Sequence, residues 1–331
     1  MKVAIAGATG EIGRSIVDGL MNSSADFEIT ALVRPSSIDK PEVKKIKSQG
    51  VSTVSIDLLG PREELVKALS DQDVVICAVG FYLTQEQYLL AEAAKDAGVK
   101  RFVPNTFGPS CPPAGVMLIR EMKEEIINHI KKMYLPYTVI DVGLWYQITL
   151  PRLPSGKIDN ALAFPSSQVS GDGHSPSSLT DLRDVGKYVA RIIADDRTLN
   201  KYVFAHNEEW TQEQVYSQLE KVSGEKVPRN VVSQKEVEAA IAAGQAAYES
   251  DKSMQGLTGL VYPQYLNCEW VRGDNLPGRA KYLGYLDTKE LYPDFEHVRF
   301  EDYVHEVVQG RAVPVYADRS MPTVPAADKS A

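Results

Sequence analysis

The chain has 331 residues and a hydrophobic content of 44%, which is enough for one large α/β domain with a smaller one beside it. Its formal net charge of −8, with no run of lysine or arginine, excludes the basic surface by which most nucleic-acid-binding proteins act. No apolar stretch approaches the ~20 residues that a membrane-spanning helix needs.

The N-terminus and the cysteines indicate the compartment. The first apolar run is short and glycines interrupt it, so it does not resemble a signal peptide. Cys77, Cys111 and Cys268 are odd in number and scattered, and they form neither a disulfide framework nor a zinc spacing. We therefore expect a cytoplasmic protein, monomeric or homodimeric, without a metal, nucleic-acid or membrane partner.

The first predicted elements are a buried strand, a glycine-rich turn and a helix. Val3–Ala6 is the strand, and Gly7, Gly10 and Gly13 follow it at intervals of three. Glycines in this context permit a tight turn, a close approach of backbone N–H groups to a pyrophosphate, and close helix–strand packing. The helix N-terminus adds partial positive charge. This pattern predicts a dinucleotide site, against the alternative of a purely structural turn. The residues expected at the cofactor here are Gly7, Thr9, Gly10, Glu11, Ile12 and Gly13.

The end of the second predicted strand, Glu28–Val33, indicates which dinucleotide binds. An NAD site usually has an acidic residue there for the ribose 2′-hydroxyl. This chain has Arg34 instead, with Ser36 beside it and Lys44 nearby. A guanidinium suits a 2′-phosphate, so we predict NADPH as the cofactor. The alternative is a solvated surface arginine.

Strands and helices then alternate up to about residue 142. The continuous apolar strands predict a parallel, doubly wound sheet of the NAD(P)-binding Rossmann type with helices on both faces. Ligands of such sheets bind beyond the carboxyl ends of the strands. Predicted strands lie at 51–56, 74–79, 101–104 and 137–142, and predicted helices at 43–49, 62–69, 86–97 and about 117–133. The further cofactor contacts expected at this edge are Asp57, Leu58, Val79, Gly80, Phe81, Asn105, Phe107 and Trp145.

The composition changes near residue 146, where prolines break the pattern. We expect an NADP-binding domain over 1–150, with 180–205 packing back on it, a substrate-binding part over 151–316 and a flexible tail over 317–331. Helices are predicted at 182–194, 211–222, 235–247 and 300–308, and a strand at 201–205. The segment 255–293 is aromatic and is predicted to be rich in turns.

Six short segments together carry a resemblance to a known family. They are Gly-Ala-Thr-Gly-Glu-Ile-Gly at 7–13, Val-Arg-Pro at 33–35, Ala-Gly-Val-Lys-Arg-Phe-Val-Pro-Asn-Thr-Phe-Gly at 97–108, Leu-Pro-Tyr-Thr at 135–138, Gly-Asp-Gly at 171–173 and Asp-Asp-Arg-Thr-Leu-Asn-Lys at 195–201. In these features, which cover about two thirds of the chain, the sequence resembles the NmrA-like, isoflavone reductase-like family of atypical short-chain dehydrogenases. The resemblance implies NADPH-dependent reduction of an aromatic, phenylpropanoid-like small molecule.

The family's usual catalytic residue is a lysine on the helix before the Pro-Tyr-Thr strand, and Lys123 stands at that place. A partly desolvated lysine has a lowered pKa and can move protons near neutral pH. Ordinary short-chain dehydrogenases have a tyrosine four residues before this lysine, where this chain has Ile119. The resemblance therefore implies that Lys123 works without that tyrosine and also contacts the cofactor. The alternative is a surface lysine on a charged helix.

The resemblance also points to a substrate side of the site. Asn105 and Thr106 replace the family's usual Ser-Glu, and the loop from Gly108 to Lys123 is about four residues shorter than in the plant enzymes. Trp145 stands where the family often has a phenylalanine beside the nicotinamide. The residues expected to contact substrate are Phe107, Cys111, Trp145, Tyr146 and His174.

These observations favour an oxidoreductase of secondary metabolism. The leading hypothesis is hydride transfer from nicotinamide C4 to an enone, quinone methide or carbonyl compound, with Lys123 as the proton donor or relay. A tyrosine-rich C-terminal part would line the apolar pocket. One alternative is an NmrA-like regulator that senses NAD(P) without turnover. Another is a redox-neutral isomerase or cyclase on the same fold.

Overall fold

The computed structural model describes residues 1–80, 82–164 and 167–316. Within these residues the helices are too short or too polar to cross a bilayer. The helices are α1 (Glu11–Met21), α2 (Pro41–Ser48), α3 (Arg62–Leu69), α4 (Thr84–Asp96), α5 (Leu118–Lys132), α6 (Leu182–Ala194), α7 (Gln212–Ser223), α8 (Gln234–Ser250), α9 (Met254–Leu266), α10 (Pro277–Tyr282), α11 (Thr288–Leu291) and α12 (Phe300–Val308). The strands are β1 (Lys2–Ala6), β2 (Glu28–Val33), β3 (Ser52–Ser55), β4 (Val74–Cys77), β5 (Arg101–Val103), β6 (Thr138–Asp141), β7 (Leu144–Trp145), β8 (Gln168–Ser170), β9 (Pro176–Thr180), β10 (Lys201–Phe204), β11 (Glu208–Thr211), β12 (Asn230–Val232) and β13 (Tyr285–Asp287).

The central sheet is parallel throughout. Its first five strands have the order β3-β2-β1-β4-β5. A parallel bridge between Phe102 and Tyr137 joins β5 to β6, and β10 and β13 continue the sheet beyond β6 in parallel register. This order confirms the predicted doubly wound α/β fold, in which the strand direction brings all carboxyl ends to one edge.

Both faces of the sheet are covered by helices, as the continuous apolar strands predict. On one face the core joins strand residues to α1, α2 and α6, and on the other it joins them to α3, α4 and α5. The helices α1 and α6 approach closely because glycines meet at the crossing: a Cβ on Gly186 would lie 1.7 Å from the carbonyl oxygen of Ser15. The covering of α1 therefore comes from the second half of the chain.

A separate core lies beyond the sheet. It is built on the three strands β7, β9 and β11 together with α7 and α12, and Tyr146, Phe300 and Tyr303 pack in it. The helix α7 begins at Thr211 with the predicted capping box, in which Thr211 and Gln214 bond reciprocally. The predicted boundary at residue 150 stays a prediction. The central sheet contains strands from both sides of this position. The predicted tail 317–331 lies outside the described residues.

The prediction of turns over 255–293 is wrong in its first half. Residues Met254–Leu266 form α9, and a π-helical turn, Asn267–Val271, extends it. Gly256, Gly259 and Pro263 lie in this helix although each disfavours a helix interior. Ser253 caps the helix through the N–H of Gly256, and α9 packs along α8. Tertiary packing outweighs the weak local propensity.

Candidate active site

The glycine-rich turn has the geometry of a cradle for a diphosphate. Gly7 has a φ of +85°, and a Cβ there would lie 2.4 Å from the carbonyl oxygen of Ala78. A Cβ on Gly13 would lie 2.0 Å from the carbonyl oxygen of Gly7, so the start of α1 touches the turn. Gly10 precedes α1 and no side chain caps the helix. The first-turn N–H groups of α1 therefore have no side-chain cap and are available to bind an anion.

The loop after β2 presents positive charge beside this cradle. Arg34, Ser36 and Lys44 are exposed, and Pro35–Ser37 form one turn of 3₁₀ helix. Within the part of the chain that is described, the side chains of Arg34 and Lys44 form no ion pair or hydrogen bond. A phosphate on a cofactor ribose would meet these groups without displacing a protein partner.

The next strand ends contribute backbone and small polar groups. Asp57 is exposed and its carboxylate accepts a hydrogen bond from the Leu59 N–H at 3.0 Å. The side chain of Leu58 is buried in the core, so only its backbone can face a ligand. The Asn105 side chain donates to the carbonyl of Val79, which joins the ends of β4 and β5. Gly80 follows Val79 at this edge, and Phe81 lies outside the described residues.

Lys123 lies at this edge of the sheet, close to Tyr265 from the second half of the chain. Its Nζ donates a hydrogen bond to the carbonyl oxygen of Thr106 at 2.6 Å. Burial lowers the pKa of Lys123 from 10.5 to about 8, an effect that nearby Asp141 opposes and the Arg120 guanidinium reinforces. An amine with this pKa is protonated at neutral pH and can still release a proton.

A buried ionic network lies beneath Lys123. The Arg120 guanidinium, 4% exposed, pairs with Asp141, which is fully buried at the end of β6. Glu124 binds the same guanidinium, and the hydroxyl of Tyr285 donates to Asp141. The sequence analysis missed this network, although an aspartate at the end of an apolar strand was a signal. These contacts fix α5 against β6 and so hold the backbone that carries Lys123.

The segment 264–275 packs on the loop that leads to α5. Gln264 accepts a hydrogen bond from the N–H of Leu118 at 3.0 Å, and Asn275 accepts one from the N–H of Ser110 at 3.2 Å. The hydroxyl of Tyr265 lies close to Gly108. The loop that leads to α5 is therefore bound at both ends by residues that lie 146 and 165 positions further along the chain.

Phe107 and Trp145 lie together in the core near this end of the sheet. Phe107 is 4% exposed, and Trp145 is partly buried against the same cluster. The Trp145 ring stacks on Tyr316, with ring centroids 6.3 Å apart and an interplanar angle of 27°. The backbone N–H of Tyr316 donates a hydrogen bond to the carboxylate of Glu11, at the start of α1, at 3.1 Å.

The structure buries Tyr146 and Cys111, two of the residues predicted to contact substrate, and these contacts stay predictions. Tyr146 is fully buried in the second core, where its hydroxyl donates to the carbonyl of Val298. Tyr146 follows the strand β7 and begins a turn of 3₁₀ helix, Tyr146–Ile148, which places its ring in that core. Cys111 is 1% exposed and packs on Met117 and Cys268.

His174 is not brought together with the other predicted residues. It is exposed beside the turn at 171–173, and its backbone N–H donates to the carboxylate of Asp172. A substrate contact for His174 stays a prediction.

Comparison with known proteins identifies relatives over nearly the whole chain. A sequence model described as the NmrA-like family matches residues 1–275. The asnovolin J 5′,6′-dehydrogenase of Aspergillus novofumigatus is 45% identical over 314 residues, which cover 94% of this chain and 96% of that protein. An isoflavone reductase-like protein of Olea europaea is 29% identical over 322 residues, with 93% and 98% covered.

Solved structures share the fold. A crystal structure of isoflavone reductase superposes with a TM-score of 0.75 at 26% identity, covering 92% of this chain and 98% of that one. A binary complex of leucoanthocyanidin reductase with NADPH, from Vitis vinifera, has a TM-score of 0.76 at 22% identity and covers 93% and 100%. The second likeness supports the fold alone.

Proposed function

The chain belongs to the NmrA-like family, and on that premise we propose that it is an NADPH-dependent reductase of a conjugated or aromatic small molecule. The observation that carries this proposal is Lys123, whose amine combines a pKa of about 8 with a position at the ligand edge of the sheet. A regulator that only senses the cofactor has no use for a proton donor tuned to neutral pH.

The cofactor would lie along the edge from the glycine-rich turn to Lys123. The cradle of Gly7, Gly10 and Gly13 would hold the diphosphate, and Arg34 the 2′-phosphate. The leucoanthocyanidin reductase complex contains NADPH, so this fold accommodates that cofactor. The nicotinamide would reach the region between Lys123 and Trp145.

The chain's own residues supply the proton side of the reaction. When bound, NADPH supplies a hydride to an electrophilic carbon of the substrate. Lys123 holds its proton at Nζ, and the Thr106 carbonyl orients the amine by accepting one of its hydrogen bonds. The proton passes from Nζ to the substrate atom that has gained the electron pair, and the neutral amine regains a proton from water. Hydride and proton together complete a two-electron reduction.

The reverse direction is a second candidate. The relative that is 45% identical is named a dehydrogenase, which favours oxidation of a saturated substrate. The same amine would then act as the base in its neutral form. Both directions need the same groups. They differ in whether the protonated or the neutral amine of Lys123 is the active form.

A binding titration followed by turnover tests the proposal. Purified protein is titrated with NADPH and NADH by cofactor fluorescence, and NADPH consumption is then measured with benzalacetone and with a benzoquinone. We expect preferential NADPH binding that survives Lys123→Ala, and turnover that Lys123→Ala removes. Lys132→Ala changes an exposed lysine on the same helix and is the matched control. Absence of NADPH binding would reject the proposal, and binding without turnover on any conjugated probe would favour the sensing role.

A further inference from the structure

Ordinary short-chain dehydrogenases have a tyrosine four residues before the lysine, and this chain has no tyrosine at that position. The position four residues earlier on α5 is Ile119, whose side chain is 4% exposed and carries no polar atom. A lone amine can supply a proton, but a negative oxygen that develops in an apolar site needs a second donor to stabilise it. A donor from elsewhere in the chain would have to reach the space in front of Lys123.

Tyr265 reaches that space from α9. A Cβ built on Gly108 would lie 3.5 Å from the Nζ of Lys123 and 4.0 Å from the hydroxyl oxygen of Tyr265. The two polar atoms therefore lie near one point, and their separation cannot exceed the sum of those distances. Because residue 108 is glycine, its own side chain does not occupy that point.

The ring of Tyr265 is held by packing around it. It lies against Cys111, Met117 and Cys268, which form a small buried apolar cluster. The neighbouring Gln264 accepts the hydrogen bond from the N–H of Leu118, which binds α9 to the start of α5. The hydroxyl is thus positioned relative to the helix that carries Lys123.

The surroundings keep Tyr265 in its neutral form. Burial raises the pKa of its phenol well above the usual range, and the buried carboxyl of Glu269 acts in the same direction. Burial also raises the pKa of Glu269, which is 3% exposed. A phenol that stays protonated at neutral pH is a hydrogen-bond donor rather than an acid.

We propose that Tyr265 donates a hydrogen bond to the substrate oxygen that becomes negative during the reaction, while Lys123 supplies the proton. This inference rests on the proposed function and specifies its substrate class, a conjugated system that ends in an oxygen, such as an enone or quinone. The hydride adds to the electrophilic carbon, the π electrons move to the oxygen, and the phenol of Tyr265 bonds that oxygen without giving up its proton. The proton from Nζ then completes the product.

Binding of an oxyanion probe tests Tyr265 without turnover. The ion 4-nitrophenolate presents an anionic oxygen on an aromatic ring, and its absorbance reports binding to the full-length protein with and without NADP⁺. We expect Tyr265→Phe to weaken binding at least about 10-fold, since one hydrogen bond to a charged group is lost. Tyr248→Phe makes the same chemical change on the adjacent helix α8 and should leave binding unchanged. Equal binding by Tyr265→Phe and the unaltered protein, or no binding by the unaltered protein, would overturn the inference.

A second variant guards against a folding defect at Tyr265. Gly108→Ala places a methyl group 3.5 Å from the Nζ of Lys123 and 4.0 Å from the hydroxyl oxygen of Tyr265, so it should weaken 4-nitrophenolate binding as Tyr265→Phe does. If Tyr265→Phe lowers the melting temperature strongly, the Gly108→Ala result decides, and unchanged binding there counts against the inference.

Turnover provides the catalytic readout. With benzalacetone and NADPH, Tyr265→Phe should lower kcat/KM by about 10²- to 10³-fold, the usual effect of removing one donor to a developing oxyanion. Its pH profile should keep the limb near pH 8 that belongs to Lys123, and its NADPH affinity should not change. If the unaltered protein does not bind NADPH, the proposed function is rejected. The 4-nitrophenolate result would still decide the role of Tyr265.

Discussion

At the scale of the residue, the decisive quantity is the pKa of Lys123. Burial removes water from the ammonium and lowers the pKa to about 8, although Asp141 attracts the charge. The Thr106 carbonyl fixes the direction of the amine. Desolvation and orientation together are what the proposed role of Lys123 as a proton donor requires near neutral pH.

The direction of the reaction should be visible in its pH dependence. For reduction the protonated amine is the active form, so kcat/KM should be level below pH 8 and fall about tenfold per unit above it. For oxidation the neutral amine is active, and kcat/KM should rise with pH up to about 8. Initial rates of NADPH consumption and NADPH formation over a pH series measure both limbs.

Lys123→Met is the control for this assignment. It keeps an apolar stem of similar length and should lower kcat/KM by about 10²- to 10⁴-fold, the usual contribution of one acid–base group. The limb near pH 8 should disappear with it. A limb that persists in this variant would belong to another group.

Arg34 should determine the preference of the protein for NADPH over NADH. Its exposed guanidinium has no partner in the described parts of the chain, so it can form charge-assisted hydrogen bonds to a 2′-phosphate. We expect Arg34→Ala to weaken NADPH binding about 10- to 100-fold and to leave NADH binding unchanged. Fluorescence titration measures both affinities, and an equal loss for both cofactors would contradict the assignment.

At the scale of the element, close helix packing positions the cofactor loop. The helix α1 begins at the glycine-rich turn and is covered by α6, and the backbones meet where Gly19 of one faces Gly186 of the other. The hydroxyl of Ser15 accepts a hydrogen bond from the N–H of Gly186 at 2.9 Å. The direction of the α1 N-terminus therefore depends on the absence of side chains at this crossing.

A methyl group at the crossing should separate the helices. The Cβ of Gly186→Ala would lie 1.7 Å from the Ser15 carbonyl oxygen, and we expect a loss of about 1–3 kcal/mol or more in the free energy of unfolding. Gly259→Ala on α9 is the control, since its Cβ meets nothing within 4 Å and should raise stability by about 0.5–1 kcal/mol. Urea denaturation measures both, and similar values for the two variants would show that the crossing tolerates the methyl group.

At the scale of the whole molecule, the two halves of the chain form one continuous sheet. The strand β6 pairs with β10, which pairs with β13, and the guanidinium of Arg101 on β5 donates to carbonyls of Ile192 and Asp195. The proposed site depends on the same connection, because Lys123 comes from one half of the chain and Tyr265 from the other. A change that separates the two halves should therefore abolish both NADPH binding and the stability of the fold.

A fragment of residues 1–150 should fail to fold alone. It would lose α6, which covers the apolar side of α1, and β10, the partner of β6. We expect no cooperative thermal transition and no NADPH binding, with increased binding of a hydrophobic dye such as ANS. Calorimetry and fluorescence on the fragment and the full chain check this, and a cooperative transition in the fragment would show that the first half is an independent domain.

Sequence alone determined the features that depend on neighbours along the chain. Up to about residue 142 the order of strands and helices follows from apolar periodicity, and the turn at Gly7 follows from the need for a positive φ. The α7 capping box at Thr211 is of the same kind, since its two residues are three positions apart. The place of Lys123 on α5 was found from a resemblance carried by such local segments.

Only the tertiary structure decided which distant groups meet. The pair of Arg120 and Asp141, the approach of Tyr265 to Lys123, and the burial of Tyr146 and Cys111 all depend on contacts that long stretches of chain separate. Periodicity assigns a residue to the inner or outer side of its own element, but it does not specify which element packs there. That choice is made by the fit of whole helices and sheets around the core, because buried surface and close packing are properties of the assembled fold.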